Sequence, residues 1–189
     1  MSTASERHRA RTRQDLLDAA VRLICTGHEP TMRAIAAEAG VGERTIYRYF
    51  ANADECAAAV RAFVAPRLGV PVCDHVDELE DYAQRLFDTF EENHELTVAF
   101  LRSSWSAAEL EQSRRANLEA LTGLLRRFAP EVPDDEVRCA AASLRTVLSG
   151  SGWFHLRVSC GLQRQEVVAN ARWLIGAVLA TLSRTPTGR

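Results

Sequence analysis

The sequence predicts an all-α chain in two parts, a three-helix N-terminal domain and a longer C-terminal helical bundle. Three observations lead there. Apolar residues recur at three- and four-residue spacing along nearly the whole chain, the period of a helix with one buried face. No stretch alternates apolar and polar residues between turn signals, as a half-buried strand would. Glycine and proline cut the periodic segments apart at "PRLGVPVCD", "APEVPDD" and "SCGLQ". With 189 residues, 47% hydrophobic and 25% charged, the chain can bury a proper core and has an ordinary globular composition.

The first helix is expected from about Thr12 to Thr26, where Leu16, Leu17, Ala20, Leu23 and Ile24 form one stripe and Gly27 stops it. A short helix follows from Thr31 to Ala39. Thr31 is suited to cap its start, and Gly40 to end it in the left-handed conformation. After that turn comes a third segment, Glu43 to Phe50. Asn52, with Glu55 three residues on, carries the capping-box pattern of a fourth helix. Beyond the break near Pro66, helices are expected over 76–93, 96–103, 107–128, 134–158 and 164–183. Ser149–Gly152 interrupts the fourth of these with a kink or a close helix approach. These signals give a basic arm (1–11), the three-helix domain (12–52), a connecting helix (53–66), the bundle (67–183) and a tail (184–189).

Charge narrows the function. Every basic side chain is arginine, and the net charge is −2. Residues 1–66 hold nine arginines against eight carboxylates, with Arg7, Arg9, Arg11 and Arg13 bunched at the front. A globally basic nucleic-acid binder is excluded; a locally basic one is not. No apolar run approaches a membrane span, and no apolar stretch follows the basic N-terminus, so a cytoplasmic protein without membrane partners is expected. Five scattered cysteines without a CxxC pair argue against a disulfide framework or zinc site. Cys25/His28 and Cys73/His75 lack a second half. No metal, cofactor or enzymatic activity is expected, because no glycine-rich phosphate loop, HExxH, nucleophile elbow or paired-carboxylate set is present.

Two short helices joined by a glycine turn behind a longer helix make the arrangement of a helix-turn-helix DNA reader. Stepping about 100° per residue along the second helix puts Ile46 and Phe50 on the buried side. Arg44 and Arg48 fall together opposite, flanked by Thr45 and Tyr47. Arginine can bond guanine O6 and N7, and hydroxyls can bond phosphate oxygens. A solvated amphipathic helix explains the arginines equally well but leaves its two tyrosines without a reason.

The stretch "TMRAIAAEAGVGERTIYRYF", preceded by "TRQDLLDAAVRLICTG", resembles the DNA-binding domain of the TetR/AcrR family of bacterial transcriptional regulators. Thr31, Ile35, Ala36, Ala39-Gly40-Val41, Thr45, Tyr47 and Phe50 carry the resemblance, over about residues 12–60. It implies phosphate contacts by Thr31, Thr45 and Tyr47, and base or phosphate contacts by Arg33, Arg44 and Arg48. Glu43 and Tyr49 complete the candidate DNA-contact set. Three positions depart from the pattern: Ala53 replaces a usual lysine, Cys56 a usual leucine, and the Gly27–Thr31 loop is short. The arm "RHRARTR" either enters a minor groove or is a solvated tail.

For the remainder, the resemblance implies a ligand-sensing and dimerising bundle. Phe87, Phe90, Phe100, Trp105 and Trp153 are the candidate pocket walls, although an ordinary core accounts for any one of them. "ARWLIGAVLATL" is apolar nearly all round, the pattern of a helix buried on every side. The expectation is a homodimeric repressor that binds a palindromic double-stranded operator and is released by a small hydrophobic effector. The alternatives are the same regulator switched by cysteine oxidation, an activator, or a helical enzyme.

Overall fold

The computed structural model describes residues 4–103 and 107–184. Among these, the regular structure is helical throughout: ten α-helices, one 3-10 turn and one π turn. The chain forms two compact units. One takes the residues up to Arg67 and the segment 95–109; the other takes 68–94 and everything from 110 onward.

In the first unit, α1 (Ala4–Cys25), α2 (Met32–Glu38), α3 (Glu43–Ile46) and α4 (Ala53–Leu68) follow one another. Leu16, Leu17, Ala20 and Ile24 of α1 bury against Ile35 and Ala36 of α2, and Ile46, Phe50, Cys56 and Val60 close the core. Local chemistry sets the boundaries. Gly27 and Gly40 take left-handed backbone (φ 75° and 69°) where α1 and α2 end. The Thr31 hydroxyl accepts from Ala34 N–H at 3.1 Å. Asn52 Oδ1 accepts from Glu55 N–H at 2.8 Å, and the Glu55 carboxylate accepts from Ala51 N–H, one residue before the donor that a capping box ordinarily uses.

Two expectations are corrected here. Helix α1 begins at Ala4, eight residues before Thr12, so residues 4–11 are helical rather than an arm. Nothing in "ASERHRAR" breaks a helix, and Thr12 turns its hydroxyl onto the His8 carbonyl instead of capping a start. The third segment is α-helical only to Ile46. It then tightens, with Arg48 N–H donating to Thr45 and Tyr49 N–H to Ile46 at i+3 spacing. Helix α6 (His94–Arg102) returns to this unit, where Ala99 and Phe100 pack on the core.

The second unit holds a 3-10 turn (Val76–Glu78) leading into α5 (Leu79–Glu92), then α7 (Ala107–Phe128), α8 (Asp134–Val147), α9 (Gly150–Phe154), a π turn (His155–Ser159) and α10 (Arg164–Arg184). Leu79, Tyr82, Ala83, Leu86, Phe87 and Phe90 run down one face of α5 at three- and four-residue steps, and all are buried. They share the unit's core with Leu124, Leu144, Trp153 and Ile175.

The interruption expected at Ser149–Gly152 within 134–158 is a full break after Val147. Ser149 adopts extended backbone and accepts from Gly152 N–H at 3.0 Å, starting α9 afresh. Gly152 allows this reversal. A Cβ there would lie 2.5 Å from the Val147 carbonyl oxygen and against that of Thr146. Within one chain, helix α10 is buried on one side. Val167, Val168, Ala171, Ile175 and Leu182 face the core, while Trp173 is 73% exposed and Gly176, Ala177 and Ala180 are exposed with it. One chain supplies neighbours to one side of this helix only.

A polar knot sits inside the second unit. Glu91 Oε1 accepts from Trp153 Nε1–H at 3.0 Å and from Arg157 Nε–H at 2.5 Å, and Arg157 also donates to the Leu162 carbonyl at 2.7 Å. The Phe90 and His94 rings lie 5.8 and 5.3 Å from the Trp153 ring. Burial alone would raise the Glu91 carboxyl. The hydrogen bonds from Arg157 and Trp153, with the Arg157 charge, outweigh it and hold the group below its ordinary value.

Two stability predictions follow from these contacts. Gly152→Ala should destabilise by about 1–3 kcal/mol, because the added carbon meets backbone that cannot swing away; urea melts would read this as a shifted midpoint. A depressed carboxyl stabilises above the unfolded value, and that contribution is lost as pH falls through the folded one. Glu91→Gln should therefore cost about 1.5–3 kcal/mol at neutral pH and flatten the loss of stability in acid, measured by urea melts across pH.

Candidate nucleic-acid interface

The apolar residues of the recognition segment are buried on the side that the wheel predicts. Ile46 and Phe50 are 0% and 1% exposed. Burying these two fixes the azimuth of everything between them. Arg44, Tyr47 and Arg48 stand in solvent, Tyr47 at 50% exposure, which is unusual for so large a ring. Thr45 and Tyr49 are half-buried at the edges. Arg33 and Thr31 are exposed at the start of α2, and Glu43 in the first turn of α3. The candidate contact residues thus all belong to the first unit, on consecutive short elements.

Electrostatics favours an anionic partner here. Among the described residues, Arg33, Arg44 and Arg48 form no ion pair. Several arginines elsewhere are paired: Arg22 with Glu38 at 2.8 Å, Arg164 with Asp88 at 2.6 Å and Arg157 with Glu91. Three exposed guanidinium groups without ion pairs, on consecutive short elements, raise the local potential and draw phosphate.

Sequence reasoning missed the part that α1 plays. Its early turns flank the recognition segment. Arg9 lies over the Tyr49 ring at 6.0 Å and Arg13 over the Phe50 ring at 5.5 Å. Between α1 and the segment lies a cleft of about 480 Å³ lined by residues of both. The signal available was the three- and four-residue spacing of Ser5, His8, Arg9 and Thr12, which is a helix face and not a tail.

The five candidate pocket residues do not come together as one set. Phe87, Phe90 and Trp153 are buried in the second unit, where Trp153 also donates to Glu91. Phe100 packs on the core of the first unit. Trp105 lies outside the described residues. The cysteines are free. Burial pushes the Cys56 thiol up to about 11, and it also raises Cys25 and Cys73, which makes these three poor nucleophiles. Cys139 and Cys160 are exposed, and Cys160 Sγ is 3.6 Å from His155 Nε2.

Comparison with known proteins agrees with this geometry. Residues 16–60 match the family of bacterial regulatory proteins, tetR family. No curated protein matches the sequence. A TetR-like transcriptional regulator from Rhodococcus sp. RHA1 is similar in fold, with a TM-score of 0.65 and 20% identity over 89% of this chain and 96% of that one. A proposed transcriptional regulator from Pseudomonas aeruginosa PAO1 gives 0.64 and 20% over 92% and 93%. A proposed TetR-family regulator from Mesorhizobium loti MAFF303099 gives 0.57 and 18% over 95% and 98%. The helix-turn-helix of residues 16–60 therefore belongs to the TetR family of bacterial regulatory proteins, and the chain that carries it has the fold of a TetR-like transcriptional regulator.

Proposed function

We propose that the protein is a homodimeric transcriptional repressor that binds a palindromic operator through α2, α3 and the turn after it, and leaves the operator when a small hydrophobic molecule binds the second unit. The observation that carries the DNA-binding half is the pairing of Ile46 and Phe50 in the core with unpaired Arg44, Arg48 and exposed Tyr47 outside it. Burial fixes the segment, and the free cations face a groove. In this reading Arg44 reads base edges, Thr31, Thr45 and Tyr47 hold phosphates, and Arg33 adds charge from α2.

Dimerisation is supported by α10. Trp173, Gly176, Ala177 and Ala180 share one face at three- and four-residue steps, and all are exposed in the single chain. Small residues allow close helix approach, and a twofold axis would bury the face against its own copy. Two recognition segments related in this way suit a palindromic site.

The effector half rests on the aromatic interior of the second unit, where Phe87, Phe90 and Trp153 lie. An effector must prefer the conformer that cannot grip the operator; equal affinity for both would shift nothing. The thiol-oxidation alternative has Cys139 and Cys160 as its exposed candidates. Peroxide that abolishes operator binding, restored by added thiol, would favour it.

Duplexes selected by the protein from a random pool supply the operator probe. Against it, Arg44→Ala should cost about 1–3 kcal/mol and relax preference at one base pair per half-site, while Tyr47→Phe weakens all duplexes alike. Unchanged affinity and preference in Arg44→Ala would sink the recognition assignment. Ala177→Glu, on an exposed face, should leave the fold intact by circular dichroism yet give a monomer by light scattering. A wild-type chain that scatters as a monomer at micromolar concentration would remove the dimer from this reading.

A further inference from the structure

We propose that the cleft between α1 and the recognition segment seats one DNA backbone phosphate, with Arg9 and Arg48 as its two cations. This rests on the DNA-binding reading above and gives Arg48 a role different from that of Arg44.

The argument begins with α1. Because the helix starts at Ala4, Ser5, His8, Arg9 and Thr12 stack on one face at positions i, i+3, i+4 and i+7. All four line the cleft. Across it stand Thr45, Arg48 and Tyr49, again at i, i+3 and i+4. Two guanidinium groups, an imidazole and the hydroxyls of Ser5, Thr45 and Tyr49 thus line one concavity, together with Val41 and with Thr12, whose hydroxyl donates to the His8 carbonyl, and no carboxylate lines it. Such a lining suits a phosphodiester: tetrahedral anionic oxygens take hydroxyl and guanidinium donors from several directions, with no flat platform for a base.

Backbone geometry explains why Arg48 turns this way. On a regular helix Arg44 and Arg48 would lie about 40° apart and act together. After Ile46 the Arg48 and Tyr49 N–H groups bond at i+3, each such step turning about 120°, before the Phe50 N–H returns to i+4 spacing on Ile46. Two such steps carry Arg48 roughly 80° from Arg44, towards α1. The ring of Tyr49, half-buried against the core and beneath Arg9, holds that guanidinium over the cleft before DNA arrives. Tyr49 is then a positioning residue and not itself a contact. Neither Arg9 nor Arg48 has a carboxylate partner among the described residues, so a phosphate would displace no ion pair.

The test uses the full chain with a selected operator duplex and an unrelated duplex, with affinity read by fluorescence anisotropy over a range of salt. Arg9→Ala keeps a strong helix former at its position. It should weaken both duplexes by the same factor, about tenfold, lower the salt slope by about one, and leave base preference untouched. Arg48→Ala should do the same, and the double variant should lose less than the product of the two. Tyr49→Leu should weaken both duplexes uniformly, but not when Arg9 is already alanine. Unchanged affinity and slope in Arg9→Ala overturns the proposal, as does altered base preference in Arg48→Ala. So does displacement of duplex by inorganic phosphate beyond that of chloride at equal ionic strength, which would mark a free-phosphate site. Failure of the DNA-binding reading is separate: the wild-type chain would then enrich no duplex from the pool.

Discussion

Burial of Ile46 and Phe50 is the constraint on which the candidate DNA surface depends. A four-residue helix has no stability of its own, since nucleation costs more than one turn of hydrogen bonds returns. The recognition segment keeps its shape because its two large apolar side chains are clamped between α1, α2 and α4. The orientation of Arg44, Tyr47 and Arg48 is therefore inherited from a core they do not touch. Any change that loosens Leu16, Ile35 or Val60 would shift these side chains without altering one of the candidate contact residues. The arginine stacks from α1 onto Tyr49 and Phe50 add a second clamp from outside, built of cation–π contacts in place of apolar burial.

The second unit solves a different problem. A helical core that must also hold Trp153 has to satisfy an indole N–H away from water, and Glu91 does so. A mostly buried carboxylate then needs a cation, which Arg157 supplies from the π turn. The widened turn is useful there: the Cys160 N–H reaches back five residues to the His155 carbonyl. One polar requirement thus recruits another, and the resulting knot joins α5 to the segment after α9.

Local signals in the sequence were read well, and long-range ones were not. Thr31, Gly40 and the Asn52–Glu55 pair act on backbone within four residues, so their chemistry is visible in a short window. The buried side of the recognition segment was legible for a related reason, because period alone separates Ile46 and Phe50 from the arginines. The front of α1 looked like an arm because its arginines dominate it, while the rings that hold two of them lie nearly forty residues on. Phe100 lies in the sequence among the aromatics of the bundle, but it packs on a core made before residue 61. The tightening after Ile46 left no mark that a single sequence could show.

The first unit is assembled from two pieces of chain, and this limits its modularity. Residues up to Arg67 look like a cassette that could be grafted onto another bundle to move a DNA specificity. Such a graft would leave behind Ala99 and Phe100, which cover the core from a segment nearly thirty residues downstream. A working chimera has to carry α6 along with α1–α4. Crossovers near residue 67 alone would pair a DNA-binding core with a foreign cover.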